Sequence, residues 1–259
     1  MTAPSCGYDS ALLQNRVFSY YRAISLGELE SAFKPGDRLL ELGCGTGEEA
    51  VHLAKRGISV LLTDASDSQV ESARRRIQRE KLEHLLTARV LAIEELDTLK
   101  RELGEGAFDG AYSSFGALNC ASGMERLPAD LHSLIKPGGR FICSVMNRTC
   151  GWEIFSGLAS LRPGNAFRRL GEPAAGIDGV PDSRVNVRYF TQGQMEDIFR
   201  PLFQIEGSRD LPMLPPPYLD GVFRHLPGYL EWASKKKDGA LRGLGDHMFI
   251  RMRRCTLLR

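Results

Sequence analysis

Several features that define other classes of protein are missing from this 259-residue sequence. No apolar run approaches the ~18 residues of a membrane-spanning helix, and residues 1–10 lack the basic start and apolar core of a secretion signal. The six cysteines include no pair with the C-x-x-C spacing of a zinc or redox site. The sequence therefore predicts a protein that is neither secreted nor membrane-spanning, with free thiols in a reducing compartment and the cytoplasm as its location.

A strong charge of one sign is also missing. Lysine and arginine number 34 against 32 acidic residues, so the net charge of +2 gives no electrostatic reason to expect a nucleic-acid partner. The sequence contains no G-x-S-x-G or H-E-x-x-H motif and no paired-carboxylate cluster. Hydrolases that depend on these motifs are therefore disfavoured, and no metal site is expected.

What the sequence does contain is a regular alternation of short apolar runs and amphipathic stretches. Five predicted strands alternate with predicted helices over about 110 residues, which indicates an α/β fold with a parallel, doubly wound sheet. Two further runs, Phe203–Asp210 and His247–Arg253, are candidates for an antiparallel pair at the sheet edge. The predicted strands of the alternating part are Arg38–Leu42, Ile58–Thr63, Ala88–Ile93, Phe108–Ser114 and Arg140–Met146.

The most informative stretch is the glycine-rich loop Glu41–Gly47, which follows the first predicted strand. Its spacing is G-x-G-x-G, whereas the dinucleotide fingerprint is G-x-G-x-x-G. Glu48 and Glu49 occupy the first turn of the next helix, where they disfavour an anionic ligand and favour a cationic one. Asp64 ends the second strand, where a carboxylate can accept both hydroxyls of a ribose.

These motifs resemble those of the class I S-adenosylmethionine-dependent methyltransferases. LLELGCGTG (residues 39–47) is similar to their first motif, and Asp64 is similar to their ribose-binding acid. FDGAYSSFGALNC (108–120) is similar to their segment at the fourth strand, and LIKPGGRF (134–141) is similar to the turn before their fifth strand. The resemblance covers residues 36–147. It implies a Rossmann-like, mostly parallel seven-stranded sheet that ends in an antiparallel C-terminal hairpin.

The resemblance also implies a cofactor, S-adenosyl-L-methionine, with S-adenosyl-L-homocysteine as its product. The three loop glycines would pass close to its methionine part, Asp64 would hold the ribose, and adenine recognition would rest on backbone groups or on Glu94. The cofactor-binding residues expected on this basis are Tyr8, Glu41, Gly43, Cys44, Gly45, Gly47, Asp64, Ala65, Ile93, Glu94 and Ser113.

The organisation expected is one methyltransferase domain over residues 1–259. An N-terminal helical cap spans residues 1–35 and is predicted to contain two helices, from about Ser10 to Ile24 and from Leu26 to Phe33. A cofactor-binding core spans residues 36–147. Residues 151–190 and 211–245 form substrate-side insertions, because a long insertion in a compact domain is usually functional.

The acceptor is expected to be a small molecule. The Asn/Asp-Pro-Pro-aromatic motif of amino-methyltransferases that act on adenine or glutamine does not follow the fourth strand, where the chain reads Ser113-Ser114-Phe115-Gly116. If a general base is needed, His225 and His247 are the favoured residues, since both lie in or beside the second insertion. Three alternatives remain open: a methyltransferase of RNA or protein, a nucleotide-dependent oxidoreductase, and a non-catalytic protein that binds the cofactor. The oligomeric state is not predicted.

Overall fold

The computed structural model describes residues 16–171, 174–175, 186–211 and 243–256. The α-helices in these ranges are α1 (Arg16–Ala32), α2 (Glu48–Ala54), α3 (Asp67–Glu80), α4 (Leu96–Leu103), α5 (Leu127–Leu134), α6 (Gly151–Ala159), α7 (Pro163–Ala166) and α8 (Gln192–Phe199). The strands are β1 (Arg38–Leu42), β2 (Ser59–Asp64), β3 (Leu86–Val90), β4 (Phe108–Ser113), β5 (Ile135–Met146), β6 (Ala174–Ala175), β7 (Asn186–Val187), β8 (Phe203–Asp210) and β9 (His247–Arg254).

Seven of the strands form one sheet in the order β3-β2-β1-β4-β5-β9-β8. Strands β1 to β5 are parallel to one another, and β9 pairs antiparallel with both β5 and β8. The order reverses beside β1, which is the place where open α/β sheets bind their ligands. The predicted α/β fold, its doubly wound parallel core and its antiparallel C-terminal hairpin are confirmed.

The central strands are buried because helices cover both faces of the sheet. In β1 every residue from Leu39 to Leu42 is buried, which matches the apolar runs expected of parallel strands covered on both sides. Two large apolar clusters result: one contains Phe108, Phe141 and Phe199, and the other contains Leu39, Leu62 and Val70. This core fixes the strand ends from which the site is built.

Three local predictions need correction. The N-terminal region contains one continuous helix, α1, rather than helices on either side of Ser25, because Tyr21, Ile24 and Leu29 keep one buried stripe at helical spacing. Strand β3 ends at Val90 rather than Ile93, and residues Ile93–Glu95 form a 3-10 turn.

The third correction concerns the Pro-Gly-Gly segment before the fifth predicted strand. Strand β5 already begins at Ile135 and runs through this segment, instead of starting after a turn. Gly138 has a positive φ of 76°, and the pairing with β4 shifts register between Phe108 and Gly110. The segment is therefore an irregularity within a strand pair.

Two asparagines fix the chain beyond the carboxyl ends of β4 and β5. The Asn119 amide donates to the carbonyls of Met146 and Arg188, and its Oδ1 accepts from the Met146 N–H at 2.9 Å. Asn147 bridges to Phe190 and donates to the Gly245 carbonyl at 2.8 Å. These bonds place residues 186–190 and 243–246 at the carboxyl ends of the parallel strands, the same end of the sheet as the glycine-rich loop.

Within the described ranges, no helix has both the length and the apolar character needed to cross a bilayer.

Candidate active site

The glycine-rich loop connects β1 to α2, and all three of its glycines have positive φ. A Cβ on Gly43 would lie 2.2 Å from the Ala117 Cβ, and one on Gly47 would lie 2.8 Å from Leu62. Gly43 and Gly47 are thus required by packing against the protein itself. A Cβ on Gly45 would meet no described atom within 4 Å. The backbone at Gly45 is therefore not covered by other described residues. A ligand that approaches a backbone closely requires such an open position.

Asp64 ends β2 directly beside this loop. Its Oδ2 accepts from the Gly45 N–H at 2.9 Å, and its Oδ1 accepts from the Ser66 N–H at 2.9 Å. Each carboxylate oxygen has a second lone pair, so two further donors can be accepted. The backbone thus holds the carboxylate in one orientation, and a vicinal diol fits its remaining acceptor sites.

Glu41 adds an acidic group beneath the loop. Its side chain is 1% exposed, and Oε2 has no hydrogen-bond partner among the described residues. Burial raises the pKa of Glu41 well above its usual range, and the nearby Glu49 carboxylate raises it further. Glu49 differs because it accepts a hydrogen bond from Arg22. The loop region therefore contains a buried acid that pairs with no described cation and whose neutral form is favoured by burial.

Other predicted site residues differ in what their side chains can contribute. Ala65 is exposed just beyond Asp64, whereas the buried Cys44 donates weakly to the Gly45 carbonyl at 3.5 Å. Burial raises the pKa of the Cys44 thiol far above neutral pH, so the thiol stays protonated. The Ser113 hydroxyl is buried and donates to the Leu42 carbonyl at 2.9 Å, so only its backbone can face a ligand.

Glu94 and Ile93 lie in the turn after β3. Glu94 Oε1 accepts from both the backbone N–H and the hydroxyl of Ser122, each at 2.7 Å. Burial opposes ionisation, but these hydrogen bonds lower the pKa of Glu94 below its usual value. Glu94 thus ties the β3 turn to the loop after β4, while Ile93 packs against the core. Tyr8 and His225 lie outside the described residues.

Phe115 is a feature that the sequence did not reveal. It follows β4 with a φ of 55°, a left-handed conformation that is uncommon for an aromatic residue. Its N–H donates to the Ser144 hydroxyl at 2.7 Å, and the Arg22 guanidinium lies 5.6 Å from its ring centre. Backbone strain of this kind is concentrated at functional sites, and here it sets an aromatic ring between α1 and the end of β4.

A second polar cluster lies beyond the end of β5, and it contains His247. The Arg169 guanidinium donates to Glu153 Oε1 at 2.6 Å and also to Asp246 Oδ1, and all three side chains are buried. Asp246 Oδ2 in turn contacts His247 Nδ1 at 2.7 Å. The His247 ring lies 6.0 Å from the ring of Tyr21 on α1.

The charges of this cluster are mutually dependent. Burial alone would favour neutral Asp246, but His247 and Arg169 hold the pKa of its carboxyl well below the usual range. Cys150, Glu153 and Asp246 place three potential metal-ligand atoms within 4.8 Å of one another. Because Arg169 already bonds both carboxylates, the cluster is an ion network organised by a guanidinium. Asp246 adjoins His247 in sequence and could have been suspected, whereas nothing marked Arg169.

Residues 40–141 match a protein family described as "Methyltransferase domain". The chain is 37% identical over 118 residues to an S-adenosyl-L-methionine-dependent Diels-Alderase of Talaromyces variabilis, covering 45% of this chain and 39% of that protein. It is 31% identical over 118 residues to a demethylmenaquinone methyltransferase of Symbiobacterium thermophilum, covering 44% of each chain. The matched stretch thus spans less than half the length of these curated relatives.

Among solved structures, a geranyl diphosphate methyltransferase in complex with SAM superposes with a TM-score of 0.61 and 16% identity, over 98% of this chain and 92% of that one. This likeness concerns the fold, which extends beyond the segment that the sequence matches cover. The match over residues 40–141, the methyltransferase relative and the shared fold together confirm the resemblance to the class I S-adenosylmethionine-dependent methyltransferases that was drawn from residues 36–147.

Proposed function

We propose that this chain binds S-adenosyl-L-methionine and catalyses transfer of its methyl group to a nucleophilic O, N or C atom of a small-molecule acceptor. The observation that carries the proposal is the pairing of Gly45 with Asp64: an open backbone next to a carboxylate held by two N–H groups. The relatives named above, one of which is a demethylmenaquinone methyltransferase, support a small-molecule acceptor.

The binding roles follow from the chemistry of each residue. The main chain at Gly43, Gly45 and Gly47 would line the methionine part of the cofactor, with Cys44 beside it, and Asp64 would accept the ribose hydroxyls. Glu41 would supply the negative charge that balances a bound cation. Ala65, Ile93, Glu94 and the backbone of Ser113 would border the adenine and the sulfonium. Tyr8, outside the described residues, remains a proposed contact from the cap.

When bound, the cofactor supplies an electrophilic methyl group that is reactive without further activation. The tasks left to the protein are to align the nucleophile, exclude water and remove a proton where the acceptor requires it. Phe115 and α1 would shield the carboxyl ends of the strands from solvent. His247 is the proposed base: Asp246 fixes its Nδ1 side, which leaves Nε2 as the nitrogen that exchanges a proton.

The domain roles that accompany this function are likewise proposals. Residues 1–35 would cap the cofactor, and residues 151–190 and 211–245 would border the acceptor; residues 212–242 lie outside the described ranges. Action on RNA or protein is the alternative on the acceptor side. Steeply salt-dependent binding to RNA would favour it.

The test is to incubate the protein with S-adenosylmethionine carrying an isotopically labelled methyl group and a panel of hydroquinones, phenols and carboxylic acids. Mass spectrometry should detect labelled product together with S-adenosylhomocysteine. With a hydroxyl acceptor, His247→Asn should lower kcat about 100-fold or more, the range of general-base catalysis. His132→Asn is the matched control, because His132 contacts the Cys255 carbonyl and has no proposed catalytic role.

A second function has one specific observation in its favour. The curated relative with 37% identity is a Diels-Alderase described as dependent on S-adenosyl-L-methionine. Saturable cofactor binding without label transfer to any acceptor in the panel would contradict methyl transfer and favour a cofactor-dependent reaction of that kind. Failure to bind either form of the cofactor would contradict both functions.

A further inference from the structure

A cavity of about 500 Å³ opens among residues between the end of β5 and the first turn of α8. Its volume lies within the range of small-molecule sites. None of the described residues that line it is acidic. The lining residues are Arg148, Arg169, Leu170, Gly171, Arg188, Tyr189 and Gln194.

The charge of Arg169 is already neutralised. Its guanidinium is bonded to the buried carboxylates of Glu153 and Asp246, so it cannot serve as the main partner of another anion. Its guanidinium carbon lies 4.9 Å from the centre of the Tyr189 ring. Arg169 therefore stabilises the wall of the cavity and links it through Asp246 to His247.

Arg148 and Arg188 are the cations that remain available in this cavity. The Arg148 side chain donates to the Leu170 carbonyl at 3.3 Å, and no carboxylate in the described part of the chain lies within salt-bridge distance of it. Arg188 pairs with Glu125 at 3.0 Å, but both side chains are exposed, at 46% and 67%. A pair of this kind is worth little and is readily exchanged for a ligand.

Hydrogen bonds hold the backbones of both arginines at the carboxyl ends of the parallel strands, where the proposed cofactor site lies. The Arg148 N–H donates to the Phe190 carbonyl at 3.0 Å, and the Arg188 N–H donates to the Asn119 carbonyl at 2.8 Å. Strands β1, β4 and β5 are neighbours, so the ends of β1 and β5 lie roughly 10 Å apart, two strand spacings. The cavity therefore lies near the same ends of the parallel strands as the glycine-rich loop.

We propose that this cavity binds an anionic group of the methyl acceptor, a carboxylate or a phosphate, through the guanidinium groups of Arg148 and Arg188. Guanidinium groups match both anions in geometry and charge. This inference rests on the proposed function in one respect only: it assumes that the ligand which fills the cavity is the acceptor. The anion site itself can be tested without turnover.

The experiment titrates the full chain with inorganic pyrophosphate and, separately, with benzoate, by calorimetry at constant ionic strength in chloride. We expect saturable binding of at least one of the two probes. Arg148→Gln and Arg188→Gln should each weaken the affinity about tenfold or more, because each removes a hydrogen bond between charged groups. The preferred probe distinguishes a phosphate from a carboxylate.

The matched control is Arg101→Gln, which removes one positive charge from an exposed arginine on α4 whose ion-pair partner among the described residues is Asp97. Its affinity for the probe should stay within twofold of the wild type. Absence of saturable binding, or equal weakening in Arg101→Gln and Arg148→Gln, would overturn the proposal.

S-adenosylhomocysteine binding is measured on the same samples. Unchanged binding in Arg148→Gln shows that the cofactor site is intact and that the loss is confined to the cavity. If the wild type binds pyrophosphate or benzoate but not S-adenosylhomocysteine, the proposed function fails while the anion site stands. The two failures are therefore distinguishable.

Discussion

The candidate site has two halves, both at the carboxyl ends of the parallel strands, and they are built from different parts of the chain's chemistry: one at β1 and β2, the other beyond β5. At the ends of β1 and β2 the site consists of the open backbone at Gly45 and the Asp64 carboxylate, which two backbone N–H groups hold in place. Beyond β5 it consists of side chains, where Arg169 pairs with the buried carboxylates of Glu153 and Asp246. The first half depends on the shape of a short loop, whereas the second depends on charges brought together from positions 16 to 93 residues apart. The following predictions test that contrast.

The largest effect is expected in the side-chain half. Arg169→Met leaves the buried Asp246 paired with His247 alone and the buried Glu153 paired with Arg168 alone, and breaking buried ion pairs in this way costs up to about 3–5 kcal/mol of unfolding free energy. Urea denaturation monitored by circular dichroism measures the loss. Affinity for S-adenosylhomocysteine, measured where the variant is folded, should change less than threefold, because the loop at Gly45 does not contact this network. An unfolding free energy within 1 kcal/mol of wild type would contradict the assignment.

The next effect separates two glycines in the backbone half. Gly43→Ala places a Cβ 2.2 Å from Ala117 at a positive φ, so we expect about 3 kcal/mol of destabilisation. Gly45→Ala meets no described atom and should cost about 1 kcal/mol, from its φ alone. Thermal and urea unfolding would rank the pair.

The two variants should differ again in binding. Gly45→Ala should fold yet lose most of its affinity for S-adenosylhomocysteine, since its methyl group enters the space left for the ligand. If Gly45→Ala bound as tightly as wild type, the open backbone would have no role in binding.

A smaller effect concerns the pH dependence of the unfolding free energy, which we expect to involve Asp246 beyond the end of β5. Because His247 and Arg169 hold the pKa of Asp246 low in the folded state, its contribution to stability is present above the unfolded pKa of about 3.9 and is lost as the pH falls below it. The difference in unfolding free energy between wild type and Asp246→Asn should therefore be largest near pH 7 and shrink below pH 4. A difference independent of pH from 7 to 3 would show that the carboxylate is not ionised in the network.

The smallest effect has the opposite sign and belongs to the glycine-loop half. Burial raises the pKa of Glu41 in the folded state, so stability is lost as the pH rises from the unfolded value of about 4.3 toward the folded one. Glu41→Gln should therefore stabilise the ligand-free protein near pH 8 by about 1 kcal/mol and less at pH 5. Its affinity for S-adenosylhomocysteine should fall. Destabilisation at pH 8 would contradict the interpretation of Glu41 as a buried acid without a described partner cation.

The same contrast explains what the sequence could predict. The glycine-rich loop, Asp64 and the parallel strands were recognisable because each depends on residues close together in the chain, with spacing dictated by a strand, a turn and a helix. The C-terminal hairpin was found at β8 and β9 because Phe203 and Ile205 alternate with polar residues and Met248–Ile250 form a short apolar run. The continuity of α1 across Ser25 was missed because it depends on the burial of Tyr21, Ile24 and Leu29 in the folded protein.

The side-chain half was not predictable to the same degree. His247 was singled out by residue type and position, but its partners Asp246 and Arg169 acquire roles only through folding. Phe115 gave no signal, because its left-handed backbone depends on the bond from its N–H to Ser144, 29 residues away. Arg148 and Arg188 converge only because Asn119 and Phe190 join their backbones across the end of the sheet.

The central claim is that the glycine-rich loop and Asp64 form the cofactor site, and it is tested most directly by calorimetric titration of S-adenosylhomocysteine into wild type and Asp64→Ala. We expect one binding site per chain in the wild type. In Asp64→Ala the affinity should fall by about 100-fold or more, since two hydrogen bonds to a charged carboxylate are removed. No binding to the wild type, or equal affinity in the two proteins, would contradict the account.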